Sequence, residues 1–148
     1  MCDLVRTIPE SEVTGYKVVA KKNGKYYSFA IGFQYKQPIH RFKGRRVKQN
    51  TLVDWNSVLY NYNYYYNEDL IGRTAAFKSK KHATLLADKI IKRNLRGYPK
   101  DIEIVVVKVK LSGRLMEGTM YMRMGDCSIN NNFFDAPVWA GSTLEIIG

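Results

Sequence analysis

The sequence has few of the residues that build catalytic and metal centres. Its two cysteines, Cys2 and Cys127, are too few and too far apart in the chain for a disulfide framework or a zinc knuckle. Neither histidine, His40 nor His82, has a neighbouring cysteine or a pair of carboxylates at ligand spacing. Glycine-rich nucleotide loops and zinc-protease motifs are also missing. The sequence therefore predicts no cofactor and no metal site. The absence of familiar catalytic motifs gives an enzymatic function little support.

Long apolar stretches are missing as well. No segment approaches the roughly 20 apolar residues of a membrane helix, and Met1–Arg6 lacks the basic-then-apolar pattern of a signal peptide. The 148 residues, 45% of them hydrophobic, are enough to bury an ordinary core. We expect a cytoplasmic protein without membrane contact, with a flexible arm over residues 1–13 and a single domain over residues 14–148.

Acidic residues are absent from residues 14–53, although that segment holds ten lysines and arginines. Residues 72–100 form a second basic block, with nine basic residues and one acid, and the net charge of the chain is +11. Two concentrated blocks indicate a positive face, which attracts phosphate-bearing partners and raises their association rate. The alternative is a solvated basic surface without a ligand.

Alternating hydrophobicity and turn signals predict a fold dominated by strands. Asn23-Gly24 predicts a hairpin between a strand that begins at Gly15 and one that runs from Lys25 to about Phe33, because a type I′ turn needs positive φ at both central residues. Loops are predicted around Pro38 and Gly44 and over Asp126–Pro137. Further strands are predicted over Thr74–Lys78, Ile102–Leu111, Arg114–Met124 and Val138–Ile147, with Gly141 allowing a bulge or a close approach in the last.

The strand over Ile102–Leu111 has an apolar face and a second face that is apolar only at its start. The first face comprises Val105, Val107, Val109 and Leu111; the second begins with Ile104 and Val106 and continues with Lys108 and Lys110. We therefore expect one end of this strand to be covered on both sides. The methionines that alternate after it, Met116, Met120, Met122 and Met124, are typical of an adaptable core.

One segment has helical periodicity. Ser79 is placed to cap a helix over Lys80–Arg96, which Gly97 and Pro99 would end. The buried stripe is predicted to consist of Ala83, Leu86, Ala87, Ile90 and Ile91. These elements predict an α+β fold in which a twisted, mostly antiparallel sheet packs against one principal helix, residues 80–96.

The candidate ligand contacts lie in the first basic block. In the basic loop, His40–Lys48, arginines and lysines surround Gly44, which lets a ligand approach the backbone closely. Arginine forks match phosphate oxygens in bidentate fashion. The residues predicted to hold phosphate are Arg41, Lys43, Arg45 and Arg46, extended at the hairpin tip by Lys21, Lys22 and Lys25.

Aromatic residues follow the basic loop. Tyr60, Tyr62, Tyr64 and Tyr66 recur at every second position, which on a strand places four rings on one face. Such a row is either a strand that packs its rings on the core or a stacking platform, where each base contributes roughly 1–3 kcal/mol. The residues predicted to stack on bases are Trp55, Tyr62 and Tyr64.

Three segments in this order resemble small accessory proteins of tailed bacteriophages. They are Gly15–Val19, Ala76–Ser79 leading into the helix, and Val105–Val109 followed by Leu111–Leu115. The resemblance covers about half the chain. It implies expression in a bacterial cytoplasm and a role in countering a host defence, through binding of a nucleic acid, a nucleotide signal or a defence protein.

The order of elements also resembles an ADP-ribosyltransferase core, with a serine ahead of a helix and a late glutamate. Only Ser79 and Glu145 match that pattern. The late Glu-x-Glu motif is missing, and Tyr16 stands on the first strand in place of the arginine or histidine that would grip the cofactor.

Three hypotheses follow from the sequence. The first is a non-enzymatic module that binds a polyanion, either nucleic acid or a nucleotide signal. The second is an inhibitor that docks its basic face on an acidic surface of a host defence protein. The third is an ADP-ribosyltransferase-like enzyme.

Overall fold

The computed structural model describes residues 2–28, 34–42, 72–93, 102–123 and 133–148. Within these ranges the chain forms a nine-stranded sheet and one helix. The elements are β1 Cys2–Thr7, β2 Glu12–Lys22, β3 Lys25–Ser28, β4 Ile39–Arg41, β5 Thr74–Phe77, α1 Lys80–Arg93, β6 Glu103–Ser112, β7 Met116–Arg123, β8 Phe133–Gly141 and β9 Thr143–Ile146.

All pairings between these strands are antiparallel, in the order β1-β7-β8-β5-β2-β6-β9-β4, and β3 pairs with β2 beside β5. The predicted α+β fold, a mostly antiparallel sheet with a helix, is therefore confirmed in outline. The longest ladder joins β2 to β6 through ten successive pairs, from Glu12↔Ser112 to Lys21↔Glu103. This ladder sets the positions of everything described below.

The predicted hairpin is confirmed. Strands β2 and β3 pair from Val19↔Ser28 to Lys22↔Lys25, and the turn between them consists of Asn23 and Gly24. Their φ angles are 51° and 74°, in the left-handed region that this turn requires. The second strand is described only as far as Ser28, because Phe29 to Phe33 lie outside the described residues.

The helix begins as predicted. The Ser79 hydroxyl accepts a hydrogen bond from the Lys81 amide at 3.2 Å, which satisfies one of the donors that a helix start leaves unpaired. The stripe of Ala83, Leu86 and Ala87 is buried. Ile91, predicted for the same stripe, is instead 49% exposed. At 100° per residue Ile91 points about 90° from the centre of the stripe, so it lies at its edge in the last turns.

Both faces of the central strands are buried. Val18 and Ala20 of β2 pack with α1 and with Ile104 in one core cluster. On the other face Val19 packs with the predicted apolar face of β6, in a second cluster that also contains Leu144. The prediction that β6 is covered on both sides at its start is therefore confirmed. Met120 is buried in the first cluster, as a core methionine is expected to be.

Two short strands were not predicted. Residues 1–13, predicted to form a flexible arm, contain β1, which pairs with β7 and buries Leu4. The start of the predicted basic loop, Ile39–Arg41, is strand β4, which pairs with β9. Both strands lie at the ends of the sheet order, and their pairing partners are distant in sequence, so local periodicity carries little signal for them.

The end of the chain forms two strands where one was predicted. Strand β8 starts at Phe133, inside the predicted loop, and ends at Gly141; β9 begins at Thr143 and joins β6. A Cβ atom on Gly141 would lie 2.9 Å from Leu115 Cδ2 and 3.0 Å from the Ser112 carbonyl oxygen. The predicted close approach at this glycine is therefore confirmed. Gly141 ends β8, and the chain passes from there into β9, which pairs with a different strand.

A charged cluster fastens β1 to the sheet. The Glu117 carboxylate lies 2.6 Å from Arg6 on β1 and 2.8 Å from Lys78 Nζ, and that ammonium also lies 3.9 Å from the centroid of the Trp139 ring. The hydrogen bond from Lys78 lowers the pKa of Glu117, with further lowering by the charges of Lys78 and Arg6 against an opposing effect of desolvation. The ionised carboxylate therefore stabilises the folded state.

We predict that Glu117→Gln reduces the dependence of stability on acid pH. Because the folded pKa of Glu117 lies below its ordinary value of 4.5, its contribution is complete above the unfolded pKa and is lost as the pH falls below 4.5 and through the folded value. Urea unfolding at a series of pH values should show a flatter acid limb for the variant than for the wild type. Glu10→Gln, at an exposed position between β1 and β2, is the control; equal acid limbs in all three proteins would contradict the role of Glu117.

Candidate nucleic-acid interface

The tip of the β2–β3 hairpin places two lysines side by side. Lys22 and Lys25 are directly opposite in the ladder, so their Cβ atoms lie about 4.5–5.5 Å apart on one face. Successive side chains of a strand alternate between faces, and Lys22 shares its face with Ala20. Since Ala20 packs against the cluster that contains α1, both lysines lie on the α1 side of the sheet.

The direction of α1 brings its last turns to the same end. Strand β5 ends at Phe77, which pairs with Tyr16, and β6 begins at Glu103, which pairs with Lys21. The helix connects these two points, and its 14 residues span about 21 Å. The half-buried Lys89 near its C-terminal end is therefore carried toward the hairpin tip. Lys89, from the second basic block, thus lies on the same side of the sheet as Lys22 and Lys25 and toward the same end, which the sequence alone could not establish.

Lys21 lies on the opposite face from the other two hairpin lysines. Its ammonium is 5.7 Å from the centroid of the Tyr26 ring, and Tyr26 packs against the second core cluster. The sequence groups Lys21, Lys22 and Lys25 as one patch because they are close in the chain. The structure places only Lys22 and Lys25 together.

Arg41 lies at the other end of the β2–β6 ladder. It pairs with Thr143, which pairs with Ser112, which pairs with Glu12, the first residue of β2. Arg41 is therefore level with Glu12, ten residues from Lys22. At about 3.3 Å per residue this is about 33 Å along the sheet, with three strand spacings, about 14 Å, across it. The hairpin lysines thus do not extend the Arg41 site directly.

The surface around Arg41 is mixed in charge. Paired residues share a face, so Arg41 lies on the side of Ser112, and Lys108 and Lys110 occupy alternate positions on that side. Lys110 Nζ lies 3.7 Å from carboxylate oxygens of both Glu12 and Glu145. The remaining predicted site residues lie outside the described residues: Lys43, Arg45, Arg46, Trp55, Tyr62 and Tyr64.

His40 anchors the strand that carries Arg41. Only 6% of its surface is exposed, and its Nδ1 accepts a hydrogen bond from the Lys36 amide at 3.0 Å. Its ring makes edge contacts with Tyr35 and Phe42, at centroid distances of 5.7 Å and 4.5 Å. Burial lowers the pKa of His40, and the nearby charge of Lys36 lowers it further. The neutral ring, with its proton on Nε2, therefore suits this site.

This structural role of His40 was missed by sequence reasoning, which considered the residue only as a metal ligand and found no support for one. The signal that could have identified its role is the alternation in Ile39-His40-Arg41 between two aromatic residues, Tyr35 and Phe42. His40 lies opposite the buried Leu144, on the face away from Arg41. The histidine thus directs its neighbour Arg41 toward the α1 side.

Ser79 and Glu145, the two residues of the transferase hypothesis, have local roles and lie apart. Ser79 caps α1 two residues after Phe77 of β5, and Glu145 lies on β9, beside Lys110. Strands β5 and β9 are separated by β2 and β6, so three strand spacings, about 14 Å, lie between them.

Within the described ranges, no three His, Cys, Asp or Glu residues are grouped as a metal site would require. The helix in this part of the chain is too short and too polar to cross a membrane. No protein-family model, curated protein or solved structure matches the chain. The inferences about its function therefore depend on the geometry and charge described above.

We predict that replacing His40 flattens the pH dependence of stability near neutrality. Because the folded pKa of His40 is lowered, its contribution is complete above the unfolded pKa of about 6.5 and is lost as the pH falls toward the folded value. In His40→Asn, the amide oxygen can replace Nδ1 as the acceptor but does not titrate. Urea unfolding between pH 8 and pH 5 should show a smaller slope for this variant.

If His40→Asn and the wild type lose stability equally on acidification, His40 is not the group responsible.

Proposed function

We propose that this protein binds a polyanion, either a nucleic acid or a nucleotide signal, through the α1 side of its sheet. The observation that carries the proposal is the pairing of Lys22 with Lys25 at the end of the sheet where α1 also ends. Lys89, from the second basic block of the sequence, is directed toward the same end. Phosphate groups are the common biological ligands of such a surface.

A phosphate near the Lys22 and Lys25 ammonium groups would add charge-assisted contacts at the hairpin tip. Binding is therefore expected to stabilise the hairpin.

The proposal also includes a twisted sheet and the stacking of aromatic side chains on the bases of the ligand. Sheets of this size normally twist, which would turn the hairpin tip relative to β4. Trp55, Tyr62 and Tyr64 would stack on the bases of a single strand, and Lys43, Arg45 and Arg46 would add phosphate contacts. The resemblance to accessory proteins of tailed bacteriophages supports a role in the bacterial cytoplasm.

We predict that Lys22→Gln weakens binding of a labelled oligonucleotide severalfold, whereas Lys21→Gln does not. The two lysines are adjacent in sequence, both are half-buried, and each variant removes one charge, but they lie on opposite faces. The double variant Lys22→Gln/Lys25→Gln should also reduce the salt slope by about 0.7–0.9 for each phosphate that the protein no longer neutralises. Fluorescence anisotropy at several salt concentrations measures both quantities.

Equal effects of Lys21→Gln and Lys22→Gln would mean that affinity depends only on net charge. That result would contradict binding on the α1 side. Absence of binding by the wild type at low salt, where non-specific attraction is strongest, would contradict the proposed function itself.

A second candidate is a protein-directed inhibitor, favoured by the surface beside Arg41. Ile39 and Ile147 are diagonal neighbours across β4 and β9 on the side of Arg41, and they are 43% and 42% exposed. Exposed apolar residues next to a cation are typical of protein interfaces. In a pull-down from nuclease-treated bacterial lysate, this candidate predicts one stoichiometric protein that Ile39→Asp releases.

A further inference from the structure

The polyanion proposed above must be long if it contacts both ends of the β2–β6 ladder. Lys22 and Arg41 share the α1 side because both lie on the face of Glu12. Lys22 is an even number of residues from Glu12 on β2, and Arg41 is related to Glu12 through the pairs with Thr143 and Ser112. The ladder has no register shift over its ten pairs, so the spacing along it is regular. The two ends are therefore about 33 Å apart along the strands.

Further cations occupy the same side between these ends. Lys108 pairs with Tyr16, and Lys110 pairs with Thr14, so both lie between Arg41 and the hairpin tip. Lys108 is exposed, and so are Lys80 and Lys81 at the start of α1. Asp88 is the one acidic residue in the sequence of α1. Basic groups thus occur at both ends of this side and at the start of α1, whereas Val18 and Ala20 between them are buried against the helix.

The acidic groups on this side are partly neutralised by a lysine. Glu12 and Glu145 flank the same lysine, Lys110, each at 3.7 Å. Their charges reduce the potential close to β4, so Arg41 alone is a weak site for a small anion. Contacts at the two ends gain strength when a single ligand makes both, because the second contact then forms at a high effective concentration.

We propose, on the basis of the function proposed above, that the ligand is a nucleic acid long enough to join the hairpin tip to β4, and not a nucleotide signal. About 33 Å along the strands and about 14 Å across them give a direct distance of about 36 Å. A duplex rises about 3.4 Å per base pair, so about eleven base pairs cover this distance. A mononucleotide or dinucleotide reaches one end only and gains nothing from the other.

The test compares GC-rich duplexes of 8 and 16 base pairs at one low salt concentration, with affinities corrected for the number of binding registers. The 8-base-pair duplex is about 27 Å long and falls short of the span, whereas the longer one exceeds it. We expect the wild type to bind the longer duplex at least about tenfold more tightly. A dinucleotide should bind weakly.

Variants at the two ends make the test specific. The variant Arg41→Gln should abolish the advantage of the longer duplex while changing the affinity for the shorter one much less, whereas the double variant Lys22→Gln/Lys25→Gln should weaken both duplexes and also abolish the advantage. Lys21→Gln, on the opposite face, should keep the advantage. Single strands of the same lengths, measured in parallel, determine whether a duplex is required for the advantage.

The outcomes separate the two proposals. If both duplexes bind with equal corrected affinity, or if neither end variant alters their ratio, the long-ligand inference is wrong while polyanion binding stands. Tight binding of the dinucleotide with no gain from length would likewise overturn it in favour of a nucleotide signal. If no duplex, strand or dinucleotide binds at low salt, both proposals fail.

Discussion

The ladder between β2 and β6 is the constraint on which the rest of the structure depends. Its ten pairs run without a register shift, and it is buried on both faces: Val18 and Val19, adjacent in β2, are 1% and 0% exposed. A slip by one residue would exchange the two faces and bring Lys17 or Lys21 into a core cluster, which is costly for a charged group. The register of this ladder is therefore strongly specified.

Because the register is fixed, each basic residue of the described sheet lies at a defined position along the strands and on a defined face of the sheet. Adjacent lysines such as Lys21 and Lys22 separate onto opposite faces, whereas Lys22 and Lys25 meet across the turn. Arg41 lies on the α1 side because of the pairings that connect β4 to β2 and because the neighbouring His40 is buried on the opposite face. The charge distribution of the surface thus follows from the packing of the core, and distance in the sequence is a poor guide to it.

Features with a local cause were predictable. The Asn23-Gly24 turn, the cap by Ser79 and the two faces of β6 depend on a few neighbouring residues, and the structure confirms them. Strands β1 and β4 are short, and their partners are distant in sequence, so alternation alone does not reveal them. The direction of α1 likewise depends on where β5 ends and β6 begins, which only the sheet order determines. The candidate site divides in the same way: its candidate residues follow from composition and spacing, whereas the burial of His40 depends on Leu144, about a hundred residues later in the chain.

The central claim is that one nucleic acid contacts both ends of the α1 side. Titrating nitrogen-15-labelled protein with a 16-base-pair duplex at low salt, and following backbone amide shifts, tests it most directly. The account predicts that amides near Lys22 and Lys25 and amides near Arg41 shift together, at the same stoichiometry, while those around Tyr26 on the opposite face do not. Shifts confined to one end, or spread equally over both faces, would contradict it.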